Sequence, residues 1–256
     1  MKFSTLANVG LRSLFLESSW NDQGQQNLGL AAAVDPALKR IYPAGEDLKE
    51  ARLRALDFFN TNPVTSGVAI GVVIKLEQDV AAGRLRPEER MRIASSLSRT
   101  LAAMGDSLIW QAWLPLCCLI AVWAVLSLGY WWTPLLLPAL FCLPVLPIRF
   151  LGLYLGYREG ENIIDLLFKL KIQRLAQGLR RVVGLIVGAS MVIVLATKTS
   201  LAEDSSLARL WLTIGTVLLS AVCLRLLSLK IGRLNYWYPP ILVSLAFLLL
   251  FVFRHG

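Results

Sequence analysis

Charge is scarce in this chain of 256 residues, and acid nearly vanishes beyond residue 110. Charged residues make up 17% of the total, against about a quarter in an ordinary soluble domain. Residues 1–110 hold 13 Lys/Arg and 12 Asp/Glu, whereas residues 111–256 hold 13 and only 5. Histidine is almost missing too: the one present is His255, next to the C-terminus. Four cysteines, Cys117, Cys118, Cys142 and Cys223, all lie within apolar runs. None has metal-ligand spacing, so they are expected to be inert thiols, with no metal site. There is no Walker loop, no glycine fingerprint and no paired carboxylate in an apolar setting. These gaps argue against an enzyme working alone and leave no cofactor to expect. A continuous apolar stretch is absent from residues 1–10, so the N-terminus is expected to be retained and cytoplasmic.

What is abundant is apolar surface: 56% of residues are hydrophobic. The net charge of +9 does not point to nucleic acid, because the basic residues of the second half sit at the ends of apolar runs. That is where the positive-inside bias places them. Between Asp106 and Arg149 lie 42 uncharged residues. At about 1.5 Å per residue this is enough helix for two crossings. Tyr130-Trp131-Trp132-Thr133-Pro134 divides the run with interfacial aromatics and a helix-starting proline. Spans are therefore expected at 111–131 and 134–153, the second kinked or broken by Pro138, Pro144 and Pro147. Three further apolar runs, 182–197, 210–224 and 234–253, bring the expected count to about five. Arg158, Lys169, Lys171, Arg174, Arg180 and Arg181 make 154–181 a basic cytoplasmic loop in this reading. The C-terminus then falls outside.

The expected fold class is an all-α membrane protein. A helical region 1–110, cytoplasmic to re-entrant, precedes a transmembrane region 111–256. Residues 46–59 place Leu48, Ala51, Ala55, Leu56 and Phe59 on one side, with Glu50 and Arg54 as an i,i+4 pair. Asn60-Thr61-Asn62-Pro63 reads as a stop and turn. Residues 64–76 are apolar but too few to span, which points to a re-entrant or buried helix. A helix opening at Pro87-Glu88-Glu89, with Ile93, Leu97, Leu101 and Met104 on one face, is expected to end at Gly105-Asp106-Ser107. The two polar breaks are candidate sites, because interrupted helices free backbone groups near the bilayer centre. The plain alternative is a turn plus an N-cap supplied by Asp106 or Ser107.

Several segments resemble one family. They are Leu11-Arg12-Ser13, Ser19-Trp20-Asn21, Gln26-Asn27-Leu28-Gly29, Pro36-Ala37-Leu38-Lys39-Arg40-Ile41-Tyr42-Pro43, Leu56-Asp57-Phe58-Phe59-Asn60-Thr61-Asn62-Pro63, Gly71-Val72, Leu76-Glu77 and Gly105-Asp106-Ser107-Leu108-Ile109-Trp110. Arg149-Phe150 through Gly152, Gly156-Tyr157 and Gly160 follow in order. Together, over about residues 11–165, they resemble the IID subunits of the mannose/fructose/sorbose phosphotransferase systems. Two family segments differ. A glycine-rich Gly-Pro-Leu-Ala-Gly is replaced by Arg99-Thr100-Leu101-Ala102-Ala103-Met104, and Thr-Glu-Gly-Ala-Ser by Ala176-Gln177-Gly178-Leu179-Arg180.

The resemblance implies a subunit of the bacterial cytoplasmic (inner) membrane that pairs with a IIC subunit to carry a hexose. IIA and IIB proteins supply phosphate, and the complex is a trimer of IIC–IID pairs. The IID subunit itself carries no phosphohistidine. A sugar needs neutral hydrogen-bonding groups and an aromatic face. Asn60, Thr61, Asn62, Asp106, Ser107 and Trp110 supply them and are the expected substrate or gate residues, with Trp20, Asn21 and Gln26 as second candidates. For Trp20 an interface or core anchor is the plain alternative. The alternative function is a divergent IID-like scaffold or regulator at the membrane.

Overall fold

The computed structural model describes residues 1–199, with side chains through residue 190. The expected spans at 210–224 and 234–253, Cys223 and His255 lie outside the described residues. Nine α-helices are described: α1 (Phe3–Ser13), α2 (Asn27–Ile41), α3 (Glu46–Ala55), α4 (Ser66–Ala81), α5 (Pro87–Gly105), α6 (Leu114–Leu128), α7 (Leu136–Glu159), α8 (Ile163–Lys169) and α9 (Ile172–Thr199). A π-helical segment, Asp106–Trp113, joins α5 to α6. Residues Met1–Ile186 form one compact unit, and every contact below lies within it.

The long uncharged run forms helices on either side of the expected divider. Gly129 closes α6 in the left-handed region (φ 66°), a conformation that costs glycine little. Tyr130 and Trp132 stack at 5.9 Å, and Trp131 is exposed. Among the described residues, Pro87–Leu128 and Thr133–Lys169 are the stretches long and apolar enough to cross a membrane.

Three features differ from expectation. The helix begun at Pro87 does not end at Gly105-Asp106-Ser107, and neither polar residue acts as an N-cap. Gly105 keeps helical angles (φ −64°, ψ −47°), and the chain widens into the π segment instead of breaking. A π-bulge absorbs an extra residue within a continuous helix. Next, α7 is unbroken from Leu136 to Glu159 despite Pro144 and Pro147. An apolar surround favours keeping the remaining backbone bonds intact. Finally, residues 154–181 are helical rather than a loop: the end of α7, a 3₁₀ turn at Gly160–Asn162, α8 and the start of α9. Of the cysteines in this unit only Cys117 is buried, and Cys142 is exposed.

Helix α4 carries the 13-residue apolar run and is buried on every side, from Ser66 through Ile74 and again at Leu76 and Glu77. A helix apolar all round must be enclosed. Its main neighbour is α7, and the two approach backbone to backbone. A Cβ added at Gly67 would collide with Arg149 O, one at Gly71 with Leu153 O, and one at Gly156 with Val68 O. At Gly152 it would lie 2.8 Å from Val68 Cγ2. Gly67–Gly71 and Gly152–Gly156 are thus two four-residue glycine pairs facing each other. This is the small-xxx-small geometry of helices that associate without a hydrophobic drive. The pairing also fixes direction. Gly67 meets Arg149 and Gly160 meets Lys75, so α4 runs parallel to α7. Helix α1 runs the other way, with the Met1 amino group on Tyr157 Oη (2.9 Å) and Gly10 against Phe150. Arg149 reaches the Ser13 carbonyl and Ser13 Oγ (3.3 Å).

Glu77, fully buried on α4, ties four elements together. Arg54 Nη2 of α3 lies 3.0 Å from its Oε2, and Arg90 Nε of α5 lies 2.8 Å from its Oε1. Tyr42, just past α2, donates to Oε2 at 2.8 Å. Burial first, and the Glu77 charge second, hold the Tyr42 phenol above its ordinary pKa. The expected Glu50–Arg54 pair is present but long, at 3.8 Å. The buried carboxylate outcompetes it, because charges attract more strongly away from water.

Two outcomes follow for the purified protein in detergent melts. Gly71→Ala forces backbone apart and should destabilise by about 1–3 kcal/mol. Gly178→Ala, which meets nothing within 4 Å, should be neutral or stabilising by up to ~1 kcal/mol. Equal effects from the two would contradict the crossing. Glu77→Gln leaves the buried Arg90 and the part-buried Arg54 without their anion and should cost about 3–5 kcal/mol. A melt within 1 °C of the parent would contradict that role.

Candidate functional site

Between α3 and α4 the chain leaves the helix before Pro63, which biases Asn62 toward extended geometry. An extended buried backbone needs partners for its N–H and C=O groups. Gln26 supplies them: its Oε1 accepts from Thr61 N (3.0 Å) and its Nε2 donates to Thr61 O (2.8 Å). Gln26 Nε2 also reaches Glu17 Oε1 at 3.2 Å. The Gln26 backbone N–H donates to Phe59 O (2.9 Å). The Thr61 hydroxyl is buried with no partner among the described residues.

Asn62 then turns the chain. Its Oδ1 accepts from Val64 N (3.0 Å), and its Nδ2 donates to Asp106 Oδ1 (2.8 Å). The two polar breaks, 44 residues apart, therefore meet. Gly105 permits the contact, since a Cβ there would stand 2.5 Å from Asn62 Cβ and 2.9 Å from Thr65 Oγ1. Thr65 Oγ1 in turn donates to Leu101 O (3.1 Å), so α4 and α5 are stitched on both sides of the bond.

The next residue, Ser107, looks toward α9. Its hydroxyl donates to Gln173 Oε1 (3.3 Å) and accepts from Arg180 Nη1 (3.0 Å), which also donates to Gln111 Oε1 (2.8 Å). Trp110, partly exposed, stacks on Phe141 of α7 at 5.9 Å and 13°. The result is a small polar patch with one carboxylate, one guanidinium, several amides, a hydroxyl and a nearby indole face. It hydrogen-bonds well and has no nucleophile–base pair. Among the described residues no three of His, Cys, Asp and Glu cluster as a metal site. Counting from Gly129 at about 1.5 Å per residue, Asp106 lies roughly 35 Å from the aromatic turn. That is about the thickness of a bilayer's hydrocarbon core, so the junction stands at the end of the apolar run opposite the aromatic turn.

Of the residues expected at the site, Asn62, Asp106, Ser107 and Trp110 share this junction. Thr61 is adjacent and buried, while Asn60 is exposed. Gln26 serves the patch from below as a backbone clamp. Asn21 lies in the 21–27 turn, where its Oδ1 accepts from Gly24 N (2.7 Å) and its Nδ2 donates to Asn27 Oδ1 (3.0 Å). Trp20 is half exposed. Sequence reasoning missed Gln111, Gln173 and Arg180. The signal was spacing: Ser107 and Gln111 are four apart, and Gln173 and Arg180 seven, each pair on one helix face.

Gln26→Ala removes both partners of the buried Thr61 peptide groups. It should destabilise by about 1–3 kcal/mol in a detergent melt. An unchanged melt would show that the clamp is dispensable.

Comparison with known proteins places this arrangement. Residues 1–254 match the family described as the PTS system mannose/fructose/sorbose family IID component. The mannose-specific EIID component of Escherichia coli K12 is 32% identical over 191 residues, 74% of this chain and 67% of that protein. The sorbose-specific EIID component of Klebsiella pneumoniae is 33% identical over 68% of this chain and 63% of its own length. The matched stretches thus span about two thirds of these relatives. A solved structure titled only as a membrane protein has a TM-score of 0.74 at 25% identity, covering 100% of this chain and 97% of that one. A chain of the mannose transporter ManYZ, solved in complex with microcin E492, has a TM-score of 0.60 at 26% identity, with 100% and 96% covered. The chain is a membrane protein and belongs to the IID component family of the mannose/fructose/sorbose phosphotransferase systems.

Proposed function

We propose that this chain is the IID subunit of a hexose permease and that the Asn62–Asp106 junction contacts the sugar or gates its path. It sits with a IIC subunit in the bacterial cytoplasmic membrane, as a trimer of IIC–IID pairs. IIA and IIB proteins phosphorylate the sugar as it enters. The chain crosses the membrane several times with its N-terminus in the cytoplasm. Region 1–110 is cytoplasmic to re-entrant, and the basic residues of 154–181 lie on the cytoplasmic face. The chain moves solute and leaves the phosphoryl chemistry to its partners.

One observation carries the site reading. Asn62 Nδ2 and Asp106 Oδ1, at 2.8 Å, join the chain's two polar interruptions beside an apolar span. Polar groups beside an apolar span are costly to keep, and they mark solute pathways. An amide, a carboxylate, the Ser107 hydroxyl and the Trp110 face are what a hexose can use. Thr61 and Asn60 extend the polar strip. The relatives are named for mannose, sorbose and fructose, so these sugars are the first probes.

The test is phosphoenolpyruvate-dependent sugar phosphorylation in vesicles carrying this chain with its IIC subunit and soluble partners. Asn62→Ala and Asp106→Ala each remove a charge-assisted hydrogen bond, so activity should fall about tenfold or more. The membrane-fraction yield should be unchanged. Asn60→Ala, outside that bond, should cost less. Wild-type phosphorylation by both Asn62→Ala and Asp106→Ala would remove the site assignment.

A further inference from the structure

Arg180 is read from sequence as one of several membrane-flanking basic residues. Such residues extend their guanidinium groups outward to lipid headgroups. Arg180 does the reverse. Its Nη1 turns inward to Ser107 Oγ (3.0 Å) and Gln111 Oε1 (2.8 Å), both on the helix that carries Asp106. Ser107 passes its own hydrogen to Gln173 Oε1 at 3.3 Å. The groups that hold Arg180 are therefore neutral. No carboxylate among the described residues lies within 4.0 Å of the guanidinium. The acid nearest in sequence to Ser107, Asp106, is held by Asn62.

Charge and geometry then argue together. A neutral hexose needs the amides, the hydroxyl and one carboxylate, and it gives a guanidinium nothing to neutralise. Arginine has five donors in a rigid fork, and Nη1 alone makes both contacts here. Among the described residues Nε and Nη2 make no hydrogen bond, so both can donate to a planar anion in the two-point manner that suits carboxylates. We propose that Arg180 sets the substrate class of this site, giving it a preference for a sugar bearing an acidic group. The carboxylate binds Arg180, and the sugar hydroxyls bind Asn62, Asp106 and Ser107. This rests on the sugar-site reading above. Arg180 holds Ser107, whereas Asp106 is held by Asn62, so the cation and the carboxylate have separate partners. An acid bound at Arg180 neutralises a cation that has no ion pair among the described residues.

The test is calorimetric binding to the purified IIC–IID pair, using D-galacturonate and D-mannose as probes. The wild type should bind galacturonate roughly tenfold or more tightly than mannose, the scale of one charge-assisted contact. Arg180→Gln should erase that ratio by weakening galacturonate binding about tenfold or more. Arg180→Lys keeps the charge without the fork and should retain part of the preference. The wild-type ratio needs no variant to fold. Equal or tighter binding of mannose by the wild type, no binding of galacturonate, or an unchanged ratio in Arg180→Gln would each overturn the proposal. Asn62→Ala separates this failure from failure of the site itself. If it loses both sugars while the Arg180→Gln ratio is unchanged, the site stands and the acid preference falls. If it binds both normally, the site reading falls and takes the preference with it.

Discussion

The close crossing of α4 and α7 is the constraint on which the rest of this unit depends. At this crossing the two backbones meet directly, so the contact comes from backbone proximity and dispersion. Gly67, Gly71, Gly152 and Gly156 provide the proximity. Because α4 then lies against the C-terminal half of α7, its N-terminal end is pinned beside Arg149. That places Asn62 where α5 widens into the π segment. Arg149 secures the end of α1 at the same level through Ser13. The junction of Asn62 with Asp106 is thus a consequence of where the glycines lie, some distance away.

Charge does the complementary work at the other end of α4. Glu77 gathers Arg54, Arg90 and Tyr42 from three neighbouring elements, so the helical hairpins are locked around one anion. A buried pair of this kind adds little net stability over a well-packed apolar core, and it is costly to break. Its value here is register: α3 and α5 can each meet Glu77 in only one rotation. With α4 held by glycine at one end and by Glu77 at the other, α5 has one way to approach. Asp106 arrives at Asn62 as a result.

Much of this was readable in the amino-acid order, and what was not has identifiable causes. The uncharged run, the aromatic divider and the buried character of α4 depend on composition over neighbouring residues, which a linear reading sees. Asn62 and Asp106 were both flagged for their chemistry. Their contact was not, because nothing local reports a partner 44 residues away. The α5–α6 junction was misjudged because Gly105-Asp106-Ser107 carries every local mark of a helix end. Asn62 takes the Asp106 side chain, so it does not turn back to cap. Arg54 was paired with Glu50 on its own helix, where the true competitor is a carboxylate buried on another. Arg180 reads as part of a basic cytoplasmic loop because its polar partners lie on a different helix. The glycine pairs were visible as spacings, and only the fold shows that they face each other.

The most direct measurement of the central claim is a proximity test across the crossing. Val68→Cys with Gly152→Cys, in a chain otherwise free of cysteine, puts two thiols where an added Cβ at residue 152 stands 3.3 Å from Val68 N. Disulfides need Cβ atoms roughly 3.5–4.5 Å apart. Mild oxidation of intact membranes should consume both thiols together, block maleimide labelling and be reversed by reductant. If both cysteines stay free and label independently after oxidation, α4 and α7 do not cross as described, and the junction built on them loses its support.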